Sequence, residues 1–293
     1  MFKILSTLLF VCLINQGQAA ENIYEPKEEK KTSEEVYTIN VSTSGVAISP
    51  SRVRFNVMPG KSKTHQIKIN NDTEEAKAFR VKFNDFNMNQ FGKSQFVEPG
   101  NGKYGISNWV SVSPSFIEVA PGEKKEVTIT IDVPDDEAGK KAAWGIMMIE
   151  EAAERKTLEY DQNNSDQISF GIVPTLAFGV FLYQNPPGVS TNEVEIQDFL
   201  IEQKDENYFV NIDAKNVGTG IAYCKAYVEL TNLNNGEQEK LLVKSFTIVP
   251  DLTRVFSFEL PEHLKNGKYS AVGVIDYGNQ EEIEAAELEF EIK

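Results

Sequence analysis

SRVRFNVMPGKSKTHQIKIN, residues 51–70, decides the fold class. Val53, Phe55 and Val57 alternate with Arg52, Arg54 and Asn56, and Ile67 and Ile69 alternate with Gln66, Lys68 and Asn70. A period of two marks a half-buried β-strand, because successive side chains leave opposite faces of the backbone. Between the two runs stands Pro59-Gly60. Proline presets φ at the first central position of a turn, and glycine accepts positive φ at the second. The stretch reads as strand, turn, strand.

The same grammar extends outward. Residues 79–83 alternate, and turn signals follow at Asn70-Asn71-Asp72, Pro99-Gly100 and Pro121-Gly122. Val119-Ala120-Pro121-Gly122-Glu123, leading into alternating residues 127–131, repeats the strand, Pro-Gly turn, strand unit. No segment sustains a 3.6-residue period. Asn185-Pro186-Pro187-Gly188 reads as a stiff linker. Beyond it, alternating runs resume at 208–212, 226–230 and 254–260, with a turn at 216–220. A terminal hairpin is expected from 269–277 and 283–292 around Gly278-Asn279. Many short strands with regular turns specify an all-β chain, and 293 residues are ample for two cores. The expected organisation is two immunoglobulin-like β-sandwich domains in tandem, at 38–185 and 189–293.

Ahead of them, residues 1–20 read as an export signal. Lys3 precedes a short apolar run at 4–14, and Gly17-Gln18-Ala19 places small residues for cleavage after Ala19 or Ala20. A lipidated Cys12 is the alternative, with Val11 standing where a small residue is needed. Residues 21–37 are charged and poor in apolar groups, a flexible tether by composition. No later stretch approaches the ~18 apolar residues of a membrane-spanning helix. The expected location is exported, periplasmic or envelope-associated.

A formal charge of −15 argues against nucleic acid and against anionic membrane surfaces, both of which need clustered Lys and Arg. Cys224 is the one cysteine outside the signal, and its strand-like neighbourhood reads as core. His65, in a polar run that reads as a turn region, and His263, beside Pro261, fall in different domains, so a shared metal site is not expected. Asp132, Asp135, Asp136 and Glu137 lack the spacing of a calcium loop, and Pro134 interrupts them. No nucleophile elbow or phosphate-loop sequence is present. The chain reads as non-enzymatic, without cofactor or small-molecule substrate.

Residues 142–183 carry the functional expectation. Residues 142–149 are apolar with little alternation, as in a strand that is central or buried on both faces. A polar loop is expected over 150–167, then an unusually long strand over 168–183. Its even positions, from Ile168, Phe170 and Ile172 to Phe178, Val180 and Leu182, are bulky; its odd positions begin small. Pro174 within it points to an edge or a bulge. A long apolar edge is hazardous unless another domain covers it or a partner pairs with it.

Several motifs bear a family resemblance. Residues 48–55 (ISPSRVRF), the Asn70-Asn71-Asp72 turn, residues 116–122 (FIEVAPG) and 144–151 (WGIMMIEE), with the loop and long strand after them, resemble the amino-terminal domain of PapD-like periplasmic pilus-assembly chaperones. The same region is distantly similar to surface proteins that interact with WxL proteins. The resemblance implies that the long strand is donated into a partner's groove, with Ile168, Phe170 and Ile172 filling it. It also implies a basic anchor for the partner's carboxylate at Arg54. A second basic position falls near Phe178 or Gly179, where neither Lys nor Arg stands. The expected function is therefore a chaperone-like module that holds a protein of a surface-appendage, secretion or motility assembly by β-strand pairing. The alternative is a structural or adhesive subunit permanently assembled in an envelope complex.

Overall fold

A computed structural model describes residues 45–152, 175–188, 190–279 and 282–293. The expected signal, the tether, and Ile168, Phe170 and Ile172 lie outside the described residues. Ten strands form the first sandwich: β1 (Val46–Ser49), β2 (Arg52–Phe55), β3 (Ser62–Asn71), β4 (Lys77–Met88), β5 (Ser94–Val97), β6 (Val110–Ser113), β7 (Phe116–Val119), β8 (Lys124–Asp132), β9 (Ala143–Glu151) and β10 (Ala177–Gln184). One sheet runs β1-β3-β8-β6; the other runs β2-β10-β9-β4-β5, with β7 also pairing with β4. Their facing sides bury the residues that the alternation singled out, including Val53, Phe55, Ile67, Ile69, Phe79 and Val81.

The second sandwich takes β11 (Val194–Lys204), β12 (Asn207–Asn216), β13 (Ala222–Asn232), β14 (Gln238–Lys240), β15 (Lys244–Ile248), β16 (Thr253–Glu259), β17 (Gly267–Asp276) and β18 (Glu284–Ile292). Its sheets are β11-β12-β16 and β14-β13-β17-β18, with β15 also on β13. The terminal hairpin pairs β17 with β18 antiparallel, as its sequence predicts. Cys224 is 2% exposed in this core.

The Pro-Gly units are turns of the expected kind. Lys61 N–H donates to Met58 O at 3.1 Å, Glu123 N–H donates to Ala120 O at 3.0 Å, and Gly60 and Gly122 both sit at φ 70. Their following strands, β3 and β8, lie side by side, with Ile67 opposite Val127. His65 is not in a turn. It lies within β3, opposite Ile129, and its side chain is exposed.

Strand β9 is central between β10 and β4 and is buried on both faces. Ala143, Met147 and Ile149 enter the first core. Trp144 and Ile146 enter a third cluster with Phe86, Ala142, Tyr183, Ile221 and Val249. That cluster joins the two sandwiches, because Ile221 and Val249 come from the second. The described strands all belong to one compact unit.

Candidate partner-binding site

Strand β10 has an incomplete edge. On one side it pairs with β9 over its whole length, Ala177 opposite Glu150 through Gln184 opposite Ala143. On the other it pairs with β2, in parallel, only over Phe181–Gln184. Phe181 N–H donates to Ser51 O at 3.0 Å. Backbone groups alternate in direction along a strand, so those of Gly179 and Ala177 point the same way as Phe181 N–H. Among the described residues no strand meets them there. The expected strand over 168–183 is thus described only from Ala177; Thr175 and Leu176 are not in strand, although Leu176 O still accepts from Glu151 N–H at 2.8 Å.

The two faces of β10 have different covers. Val180 and Leu182 lie in the first core, with Phe178 packed against it. Phe181 and Tyr183 turn to the second sandwich: Phe86 meets them edge-on at 5.4 and 6.3 Å, and Tyr183 meets Tyr223 at 6.1 Å. Gly179 faces this side too, and a Cβ there would stand 2.6 Å from Ile146 Cδ1. The small odd positions therefore make room for Ile146, and the second sandwich covers the face only where the residues become large.

Arg54 stands beside this edge, opposite Tyr183 across the β2–β10 pairing. It is exposed, and its guanidinium lies 3.8 Å from the centre of the Tyr223 ring. Arg52, on the same face of β2, lies 5.9 Å from the Tyr183 ring. Neither arginine has a carboxylate within ion-pair distance among the described residues, although Lys77, Lys82 and Lys103 do. Burial raises the Tyr183 and Tyr223 hydroxyls above the ordinary phenol range, against the pull of these arginines. The Tyr223 hydroxyl is buried without a hydrogen-bond partner among the described residues. An acidic protein thus holds two unpaired guanidinium groups over a buried aromatic floor, a geometry suited to an anionic group.

Three polar contacts fasten the two sandwiches to each other. Asn185 pairs with the backbone of Ile221 at both ends, accepting its N–H at 2.8 Å and donating to its O at 2.9 Å. The β4–β5 hairpin tip reaches across, with Val255 N–H donating to Gln90 O at 2.9 Å. Asp251 accepts from Lys103 Nζ at 3.0 Å and Tyr104 Oη at 2.8 Å. The segment carrying Lys103 and Tyr104 is wrapped around the buried Asp85 carboxylate, which accepts from the N–H groups of Gly100, Gly102 and Ser107. The spacing Gly100-Asn101-Gly102-Lys103-Tyr104-Gly105 was the available sequence signal for this wrap. Arg52 was legible from its position two residues before Arg54. Among the described residues no group of three or more His, Cys, Asp or Glu could hold a metal ion.

Residues 53–150 match the family model of the WxL Interacting Protein, peptidoglycan binding domain. A search of curated proteins found no match. Solved structures similar to the chain include the class 5 fimbriae chaperone CfaA, at 13% identity and TM-score 0.43, covering 83% of this chain and 98% of that one. A CFA/I fimbriae chaperone–tip adhesin complex contributes a chain at 14% identity and TM-score 0.44, covering 84% and 98%. The Pseudomonas aeruginosa CupB2 chaperone is 15% identical at TM-score 0.40, covering 84% and 100%. Both resemblances read from the sequence, to pilus-assembly chaperones and to WxL-interacting proteins, are present among these matches.

Proposed function

We propose that the chain is an exported, envelope-associated binding protein that holds a protein partner by β-pairing along the free edge of β10. The observation that carries this reading is the half-used edge: the pairing with β2 begins only at Phe181, opposite Arg52, and the backbone groups of Gly179 and Ala177 are left without a neighbour among the described residues. A partner strand continuing β2 would complete the ladder. Arg54, joined by Arg52, would meet an acidic group of that partner. Ile168, Phe170 and Ile172, which precede this edge in the chain, would fill the partner's apolar groove. Domains at 38–185 and 189–293 belong to the same reading, and no enzymatic step is assigned.

The test is affinity purification from the native envelope with the wild-type chain and with Ala177→Pro. Proline removes an N–H that no described residue uses, so the described fold should stand. The partner recovered with the wild type should be lost with the variant, its affinity falling at least tenfold. Undiminished recovery by a folded Ala177→Pro chain would overturn the pairing.

A second reading is favoured by the match at residues 53–150. In it the first sandwich binds peptidoglycan, and the chain is a structural subunit held at the wall.

A further inference from the structure

Of the broad faces of the first sandwich, the outer side of β10-β9-β4 is covered where Phe86, Trp144 and Ile146 are buried against Ile221 and Val249. No described element covers the outer face of β1-β3-β8-β6. Its inward residues Ile67, Val127, Ile129 and Ile131 are core, so their neighbours turn outward. Strand register lines these up in rows. Ser111 stands opposite Thr130, and Thr130 opposite Thr64; in the next row Ser113 stands opposite Thr128, and Thr128 opposite Gln66.

All six side chains are hydroxyls or amides, in a chain of net charge −15 with a quarter of its residues charged. Another open face looks different: β18 turns Glu287, Glu289 and Glu291 outward. None of the six makes a side-chain hydrogen bond among the described residues, although neighbouring Ser62 is bonded to Asp132. A shallow hollow of about 670 Å³ opens beside the rows, where the chain leaves β1, lined by Ser49, Gln66, Lys68 and Thr128 among others. His65 is also in its lining, and Lys68 lies 3.8 Å from Glu126.

We propose that this face seats a glycan strand of peptidoglycan, an assignment that rests on the peptidoglycan reading above. Wall glycan offers hydroxyls and acetamido groups in a repeating row, with carboxylates on its lactyl and peptide branches. Free hydroxyl and amide side chains both donate and accept, so they match the repeat. The absence of carboxylates from the rows avoids the repulsion that the rest of this acidic surface would impose on an anionic polymer. The rows belong to a paired sheet with a packed underside, so little order has to be created on binding.

The experiment is co-sedimentation of the purified full chain with insoluble peptidoglycan sacculi. Wild type should pellet. Thr64→Glu/Thr128→Glu and, independently, Ser111→Glu/Ser113→Glu should lose at least tenfold in affinity while keeping the wild-type melting temperature. Thr64→Ser/Thr128→Ser, which keeps the hydroxyls, and Glu287→Gln, on another face, should pellet like wild type. Glycan strands freed of stem peptides by an amidase should compete, and free stem peptides should not. Binding unchanged in both glutamate pairs, or competed only by stem peptides, would overturn the glycan face while leaving the peptidoglycan reading standing. A wild type that does not pellet would overturn that reading and this one with it.

Discussion

Asp85 organises far more backbone than its size suggests. It is fully buried and accepts three N–H groups, from Gly100 and Gly102 at 2.9 and 3.2 Å and from Ser107 at 3.1 Å. A Cβ on Gly105 would stand 2.2 Å from its Oδ2, so the wrap requires glycine there. Asp85→Ala should cost roughly 2 kcal/mol or more, at about 1–3 kcal/mol for each donor left unpaired, because Gly102 and Ser107 lose their acceptor while Gly100 N–H keeps Ser107 Oγ at 2.9 Å. The measurement is the urea midpoint; Asp85→Asn, which retains one acceptor, should recover part of the loss. Cys224 makes a separate prediction. Burial pushes its thiol up to about 12. The thiolate is the nucleophile, so the folded chain at pH 8 should resist a thiol reagent that labels it rapidly in guanidinium. Prompt labelling of the native chain would contradict the packing of β13.

At the scale of elements, β10 divides into a half that the fold has used and a half that it has not. Its carboxyl-terminal half is paired on both sides and buried on both faces, and its first residues keep one bare side. The two uses of the segment before it predict opposite outcomes. Residues that serve only a partner contribute their burial only in the complex, so Phe170→Ala and Ile172→Ala should leave the denaturant midpoint of the free chain unchanged while weakening partner binding. If they were core, each truncation would destabilise the free chain by about 2–5 kcal/mol. A large fall in both midpoints would remove Ile168, Phe170 and Ile172 from the binding site.

For the whole molecule, the contact between the sandwiches is apolar and closely packed, not a pair of surfaces meeting across water. Trp144 donates its indole N–H to Phe86 O at 2.9 Å and stacks on Tyr104 at 4.7 Å. Ile221 is fully buried in the same cluster. The two sandwiches should therefore unfold together. Ile221→Asp should lower the midpoint reported by tryptophan fluorescence, which comes from Trp109 and Trp144 of the first sandwich, as well as that of the second; a fall confined to the second would show them to be independent. The exposed Lys103–Tyr104–Asp251 contact adds a pH dependence. Hydrogen bonds from Tyr104 and then Lys103 lower the Asp251 carboxyl, and the bond to Asp251 raises Lys103. A lowered carboxyl stabilises above its unfolded value and loses that contribution as pH falls through its folded one; a raised lysine does the reverse at high pH. The melting difference between wild type and Asp251→Asn should be flat from about pH 5 to pH 9 and shrink below about pH 4.

Strands, turns and the burial of Cys224 were legible in the sequence because they depend on local geometry. Alternation at Val53 and Phe55, or a glycine after a proline, constrains the backbone wherever the segment ends up. The lack of alternation around Trp144 and Met147 likewise required cover on two sides, whatever supplied it. What supplied it was not legible, because cover is a matter of proximity between residues distant in the chain. Nothing near Arg54 announces Tyr223 beneath it, nothing near Gln90 announces Val255, and the glycines at 100, 102 and 105 have no evident purpose until Asp85 lies among them. His65 read as turn because it is polar, yet the ladder with Ile129 holds it in a strand. The open backbone at Ala177 and Gly179 belongs with these, since a hydrogen bond left unmade is a property of where the neighbouring strand stops, and only the tertiary structure decides that.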